Sequence, residues 1–467
     1  MPDSLTRLRV RLGDWYRWHV TWRTIPRAWL VREIALHDWG GCQLFIHDIN
    51  NDGKPEFLWL QSTGIFKSRL YSQDNSVNSK LLSAHGQGLF CLTATDQSGT
   101  ILWQVGQPYV GSDPYLSHAP EKMVCCYDVD GDGRTEVLAL NGEDALLILD
   151  GCTGSIKNSA HLPADNFAVV ACGKSGPGSG DVVVLVGVMA DAYPPHNYAN
   201  PWLFLDSTLH VIHHGEYLGA GHHVAIFDAN GDGCDEFLIG YQLVDSHGKV
   251  VWTVDQWKGK PINPIEQHVD HVEICWIGDR WFAALAGSDK QYWIDSTGRT
   301  LWAHKLPHPQ FCVVGHSESG LRIFVINQRE SMHCFDMSGN EVWRGLLPEN
   351  WPMGRPSGTF EPRPIHCGVP ASILRTGDRI LGDLIVYKEG GWPYAVNFYG
   401  QPILTFPFTE RARKPNFHWP FGRINDVGLA FEAETCDLDG DSRDEIVIYD
   451  RQYAWLYRLN ERYDDFL

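Results

Sequence analysis

Short apolar runs separated by turn residues fill this chain from about residue 40 onward, and each run has the length of a strand. QLFIH, FLWL, MVCCY, VLAL, VAIF, FLIG and IVIY are examples. Apolar periodicity of the helical kind is confined to roughly the first 35 residues, so a short helical N-terminal segment is expected there. The runs are not independent. One cassette recurs: an apolar strand, an acidic turn, a second apolar strand, and later Asp-x-x-Gly-x-x-apolar-Trp. The last part reads DQSGTILW from Asp96, DSHGKVVW from Asp245, DSTGRTLW from Asp295 and DMSGNEVW from Asp336. Weaker copies start at Asp150, Asp206 and Asn397, so successive starts lie 39 to 61 residues apart.

About four short strands per copy, repeated at this period, predict an all-β protein built as a single β-propeller. The count gives eight four-stranded blades, with seven as the fallback. A last, truncated copy follows Asp437 and lacks its outer strand, so the N-terminal segment is expected to complete that blade and close the ring. The expected organisation is a helical and closing segment over 1–38 and one toroidal domain over 39–467.

Four copies carry an acidic loop between their first two strands. These are DINNDGKPE (Asp48, Asn50, Asp52, Glu56), DVDGDGRTE (Asp128, Asp130, Asp132, Glu136), DANGDGCDE (Asp228, Asn230, Asp232, Glu236) and DLDGDSRDE (Asp437, Asp439, Asp441, Glu445). Oxygen donors at positions 1, 3, 5 and 9, with glycine permitting the sharp turn, suit a hard cation, and Ca²⁺ is the expected cofactor. An EF-hand would need its closing Glu at position 12 and flanking helices, whereas these flanks are strands. The bland alternative is a set of metal-free Asx turns.

If the acidic loops share one face of the ring, the residues preceding each first strand ring the channel on the other face. That face then collects His118, His222, His223, His268, His271, His308 and His366. The connections between second and third strands add His85, Tyr198, Lys290 and Arg329, and a later loop adds Arg355. A single histidine at a strand start is ordinarily a satisfied polar residue, but recurrence in consecutive blades marks a funnel suited to an anionic sugar. The Trp residues ending the Asp-x-x-Gly motif are expected in the blade core, whereas the loop residues Trp351 and Trp392 are candidates for stacking on sugar rings.

The cassette resembles the calcium-loop propellers of the FG-GAP type. The motif order is further similar to the propeller polysaccharide lyases: rhamnogalacturonan, ulvan and rhamnose–glucuronate lyases. SAHGQGLFCLTATDQSGTILW, SHAPEKMVCCYDVDGDGRTEV, GAGHHVAIFDANGDGCDEFLIG and EQHVDHVEI carry the likeness, which covers most of 48–302 and fades in the last third. The resemblance implies β-elimination on a uronate glycan, with rhamnose as the expected neighbouring sugar. By motif position His85 and His118 match the acid/base pair and Tyr198 the assisting tyrosine. The arginine expected beside it is missing, since Ala199, Asn200 and Pro201 follow, so Lys290 or Arg329 must substitute. His222, His268, His271, His308, Lys290, Arg329 and Arg355 are the expected substrate-binding residues. Two alternatives stay open: a rhamnosidase-like glycoside hydrolase on the same scaffold, and a non-catalytic calcium propeller that binds glycan or protein.

The net charge of −19 removes the basic footprint of nucleic-acid binding, and no apolar run is long enough to span a bilayer. The expected partner is therefore an anionic oligosaccharide or polysaccharide, with the oligomeric state left open. The 12 cysteines lack disulfide or zinc spacing. Together with an N-terminus that has no signal-peptide core, they point to a reducing cytoplasm, or to secretion if a leader has been removed.

Overall fold

The structure is a computed structural model describing residues 25–40, 43–62, 90–108, 122–141, 144–163, 167–178, 180–188, 201–260, 268–327, 331–346, 371–377, 382–387, 393–409, 411, 431–450 and 452–459. Its 32 strands form eight four-stranded antiparallel sheets, arranged in a ring as a β-propeller. Blades 1 to 7 occupy residues 43–106, 124–161, 167–216, 224–253, 269–305, 309–346 and 371–405 in chain order. Blade 8 takes its three inner strands from residues 432–458 and its outer strand, Trp29–Ala35, from the other end of the chain.

That closure was expected, but the local conformation differs from the sequence expectation. Leu30 and Ile34 have the i, i+4 spacing of a helix, yet Trp29–Ala35 is a strand paired with Tyr453–Arg458. The edge of a three-stranded blade offers an unpaired ladder of N–H and C=O groups, and this tertiary demand overrides the local pattern. Among the described residues there is no helix.

The second strands are the most buried parts of the blades. Every residue of Glu56–Ser62, Glu136–Leu140, Glu236–Ile239 and Glu445–Tyr449 is buried. Both faces of such a strand contact neighbouring blades, which explains the unbroken apolar runs in place of alternation. The apolar core is accordingly distributed between blades. One cluster joins blades 8 and 1 through Ile34, Leu44, Trp59, Val447 and Tyr449, and so seals the ring.

The Asp-x-x-Gly motif is the turn into the outer strand of blades 1, 4, 5 and 6, with variants of it in blades 2, 3 and 7. Asp96 Oδ1, for example, accepts N–H bonds from Ser98 and Thr100, and Gly99 sits at φ +87. The acidic loops all connect first to second strands, so they lie on one face of the ring and the first-strand entries lie on the other.

Candidate functional site

Three consecutive blades bring a histidine to the entry of their first strand: His222 before Val224–Phe227, His268 before Val269–Ile277 and His308 before Pro309–Ser317. All three imidazoles converge on one carboxylate, that of Asp270. His268 Nε2 lies 3.1 Å from Asp270 Oδ1, His222 Nε2 3.7 Å from the same oxygen, and His308 Nε2 3.2 Å from Oδ2. Gln310 Nε2 donates weakly to Oδ1 at 3.5 Å.

The strand itself aims Asp270 here. In blade 5 the ladder pairs Val269 with Gly287 and then His271 with Ala286, leaving Asp270 as the extra residue of a β-bulge. Blade 6 repeats the device, skipping from Pro309 to Phe311 and freeing Gln310. Bulges of this kind turn a side chain out of the pleat, which is how two neighbouring first strands point polar groups at one spot.

His222, His268 and Asp270 are all buried, at 7%, 2% and 5% exposure, so their charges are not screened by water. Burial opposes ionisation of Asp270, but His268 and then His308 prevail and hold the carboxyl well below its usual range. Burial lowers the His268 pKa, against the opposing pull of Asp270. The site therefore combines an ionised carboxylate with an imidazole that prefers to be neutral.

Ser288 sets the proton pattern. Its Oγ accepts the His268 N–H at 2.6 Å and lies 3.0 Å from His268 Nδ1 and 2.9 Å from the His268 carbonyl. When the hydroxyl donates to Nδ1, Nε2–H points at Asp270 and the two form a His–Asp dyad. When it donates to the carbonyl, Nδ1–H donates to Oγ and the Nε2 lone pair faces the carboxylate. That second pattern is stable only with a cation between them. The ligand atoms of His222, His268 and Asp270 lie within 4.8 Å of one another, so the cluster can hold one. Asp270 Oδ2 lies 3.2 Å from His308 Nε2, so both oxygens of the carboxylate face imidazoles.

Deeper along the same strand the channel wall carries a second group. His271 stacks edge-on with His223 at 4.9 Å, and Glu273 lies 3.9 Å from Arg375 Nη2. Burial pushes His271 down to about 4, with Lys122 adding to the effect, and lifts Glu273 to about 7.

On the opposite face, the four acidic loops share one backbone scaffold. The Glu at position 9 accepts the N–H of position 2 at 2.8 to 3.0 Å in every loop, through Glu56, Glu136, Glu236 and Glu445. The Asp at position 1 accepts the N–H of position 6, from Gly53, Gly133, Gly233 and Ser442. These residues have positive φ, and Ser442 adopts it at 69° without the freedom of glycine. Asp128, Asp130 and Glu136, and likewise Asp437, Asp439 and Glu445, bring carboxylates close enough to hold a metal ion.

Of the residues expected from sequence, His222, His268 and His308 meet at one place, and His271 lies beside them in the wall. Lys290 engages Gln256 Oε1 at 3.4 Å and the Tyr292 ring. His85, His118, Tyr198, Arg329, Arg355, Trp351 and Trp392 lie outside the described residues. Asp270, the hub, was not singled out from sequence. The His268-x-Asp270 spacing is a weak signal, because His268 precedes the strand and a bulge, not regular alternation, turns Asp270 to the histidines.

No known family profile matches the chain, and no curated protein does. Solved structures do. The exotype rhamnogalacturonan lyase YesX superposes with a TM-score of 0.58 at 14% identity, over 93% of this chain and 74% of that one. Rhamnogalacturonan lyase YesW gives 0.55 at 15% identity, with the same coverage. The V. cholerae biofilm matrix protein Bap1 gives 0.53 at 10% identity, over 94% and 91%. At such identities the likeness establishes the β-propeller fold, which this chain shares with lyases and with a matrix protein alike.

Proposed function

We propose that this propeller is a polysaccharide lyase that cleaves a uronate-containing, rhamnose-linked glycan by β-elimination at the mouth of its channel. The observation that carries the reading is the convergence of His222, His268 and His308 on buried Asp270, on the face away from the acidic loops. Elimination requires neutralisation of the C6 carboxylate, removal of the C5 proton and protonation of the departing O4. The C5–H electron pair becomes the C4–C5 double bond as the C4–O4 bond breaks.

In this proposal the imidazoles and any divalent cation held with Asp270 supply the first requirement. A bound cation would contribute charge neutralisation beside the substrate carboxylate. His271, Lys290, Arg329 and Arg355 help to hold the uronate, while His85 and His118 act as the acid/base pair with Tyr198 assisting. The likeness to YesX and YesW supports the substrate class. Ca²⁺ is proposed as the ion of the acidic-loop face, which it stiffens.

Incubation with rhamnogalacturonan and other uronate glycans tests the reading. Ultraviolet absorbance from an unsaturated uronate product is the expected result. New reducing ends without that absorbance would replace the lyase with a hydrolase. Glycan binding without turnover would leave a binding propeller.

A further inference from the structure

The four acidic loops share a backbone but differ in what occupies their centre. In loops 48–56 and 228–236 position 3 is an asparagine, and its neutral amide faces the carboxylates. Asn50 Nδ2 donates to Glu56 Oε1 at 2.9 Å and to Asp52 Oδ2 at 3.3 Å. Asn230 Nδ2 donates to Glu236 Oε1 at 2.8 Å and to Asp232 Oδ2 at 3.0 Å. In loops 128–136 and 437–445 position 3 is an aspartate, and a basic side chain from elsewhere in the blade enters the cage. Lys157 Nζ lies 2.7 Å from Asp130 Oδ2, 2.7 Å from Glu136 Oε1 and 3.9 Å from Asp132 Oδ2. Arg458 Nη2 lies 2.7 Å from Asp439 Oδ2, and its Nε 2.9 Å from Glu445 Oε1.

The strand register shows that these cations are placed differently. Lys157 follows Ile156, which pairs with Leu149 at the start of the outer strand of blade 2. The same station in blades 1 and 4, after Ile101 and Val250, holds Leu102 and Val251, which are 44% and 54% exposed. An aliphatic side chain there supplies no charge. Arg458 follows Tyr457, which pairs with Ile446, and so stands across from Glu445. In blade 2 that station is Asp150, paired with Glu136 as the first residue of the turn Asp150–Gly154 into the outer strand. Blade 8 has no such turn, because its outer strand comes from the other end of the chain. Its third strand can therefore end in an arginine directed into the loop.

We propose that Lys157 and Arg458 are tethered counter-ions that fill the cation position of loops 128–136 and 437–445, so that divalent-cation binding on this face is confined to loops 48–56 and 228–236. Calcium bonds its oxygens at about 2.3–2.6 Å. An ammonium at 2.7 Å from two of those same oxygens therefore stands where the ion would stand, and the two positive charges cannot share the cage. Displacing it would mean expelling a group whose attachment to the blade gives it an effective concentration in the millimolar range or above. In the asparagine loops nothing charged has to leave. The group at their centre is a neutral amide, held by the N–H of Asp52 or Asp232 donating to its Oδ1 at 2.8 Å.

The inference rests on the calcium reading of the loops, and the test separates the two. The purified full chain, stripped with chelator, is titrated with Ca²⁺ by calorimetry and with Tb³⁺ by sensitised luminescence. About two equivalents are expected. Asp52→Asn and Asp232→Asn each remove one, whereas Lys157→Met and Arg458→Met each add one. Lys157→Arg leaves the number unchanged. Thermal unfolding of each variant, with and without Ca²⁺, confirms that it folds. Four equivalents in the unaltered chain, or no gain in either methionine variant, would overturn the tethered-ion assignment and leave calcium binding standing. No binding at all would overturn both.

Discussion

Trp103 Nε1 donates a 2.7 Å hydrogen bond to the carbonyl of Gly151, and its ring lies across Gly154, where an added Cβ would meet it at 2.7 Å. The tryptophan belongs to the outer strand of blade 1 and the glycines to the turn of blade 2, so one residue pair joins two blades. Trp252 repeats the contact with Ser296 and Gly298, and Trp302 with Met337 and Gly339. At the closure Ile34 takes the tryptophan's place over Gly99. The Asp-x-x-Gly-x-x-apolar-Trp repeat is therefore two halves of a joint, glycine receiving the previous blade and tryptophan reaching for the next.

Breaking one joint should loosen the ring without dismantling it. Trp103→Ala removes a large buried side chain and its hydrogen bond, a loss of about 3 kcal/mol. In a chain of this size that lowers the thermal midpoint by a few degrees. Gly154→Ala should act in the same direction, because φ is +69° and the new methyl group would strike the indole. Scanning calorimetry of both variants checks the pair. An unchanged midpoint in Gly154→Ala would show that the contact contributes nothing.

The channel-mouth cluster predicts a loss that stability does not explain. Asp270→Asn keeps the shape but removes the charge that holds His222, His268 and His308 together. Product formation from a uronate glycan should fall by at least about 100-fold. A Trp103→Ala chain, destabilised at a distance, should keep most of its activity at 25 °C. If the two variants lose activity in parallel, the cluster serves only the fold.

Much of this architecture was legible from sequence because it rests on local signals repeated many times. Eight copies of one strand pattern fix a propeller, and the missing outer strand of the last copy pointed to its replacement by the N-terminal segment. The face bearing His222, His268 and His308 followed from strand direction alone. Other features depend on contacts between residues far apart in the chain. Asp270 becomes a hub only because a bulge turns it toward histidines from three blades, and the bulge leaves no mark on the apolar pattern. Lys157 and Arg458 look like ordinary surface charges until strand register brings them to the acidic loops. The helical look of residues 29–35 misled because the blade edge, and not local preference, decides their conformation.

The channel wall carries a pH signature of its own. Burial lifts the Glu273 carboxyl to about 7, against the pull of Arg375 and Lys122. A carboxyl with a raised folded pKa binds its proton more tightly in the folded state. Its contribution is present below about 4.5 and is lost as pH rises through 7. His271, pushed down to about 4, and His223 and His268, also lowered, have the opposite sign: their contribution is present above 6.5 and is lost as pH falls. Glu273→Gln removes the first effect alone. The variant should exceed the unaltered protein by roughly 2 kcal/mol at pH 8 and match it near pH 5. Denaturant titrations at the two values measure this, and an equal difference at both would assign the change to packing.

The closure of the ring gives the sharpest test of the architecture. Trp29–Ala35 pairs along the whole of Tyr453–Arg458, and Glu33 fastens it further. Glu33 Oε2 accepts the Trp455 Nε1–H at 3.1 Å, Thr409 Oγ1 donates to the same oxygen, and Arg411 Nη1 lies 3.1 Å from Oε1. Glu33→Ala takes the acceptor from the Thr409 hydroxyl and leaves the Trp455 N–H only its longer 3.3 Å contact with Thr409 Oγ1, at a cost of about 2 kcal/mol. Removing residues 1–36 goes further. It uncovers the edge of Tyr453–Arg458 and takes Ile34 and Leu36 out of the apolar cluster that joins blade 8 to blade 1. An open, apolar sheet edge is a template for pairing with other chains. The shortened protein should therefore unfold at lower temperature, in a broader transition, and aggregate on light scattering. Addition of a peptide spanning residues 25–40 should restore the sharp melting and the solution size of the full chain by rebuilding the fourth strand. A truncated chain that melts like the full one and keeps its solution size would mean that seven complete blades and a three-stranded eighth suffice to hold the ring.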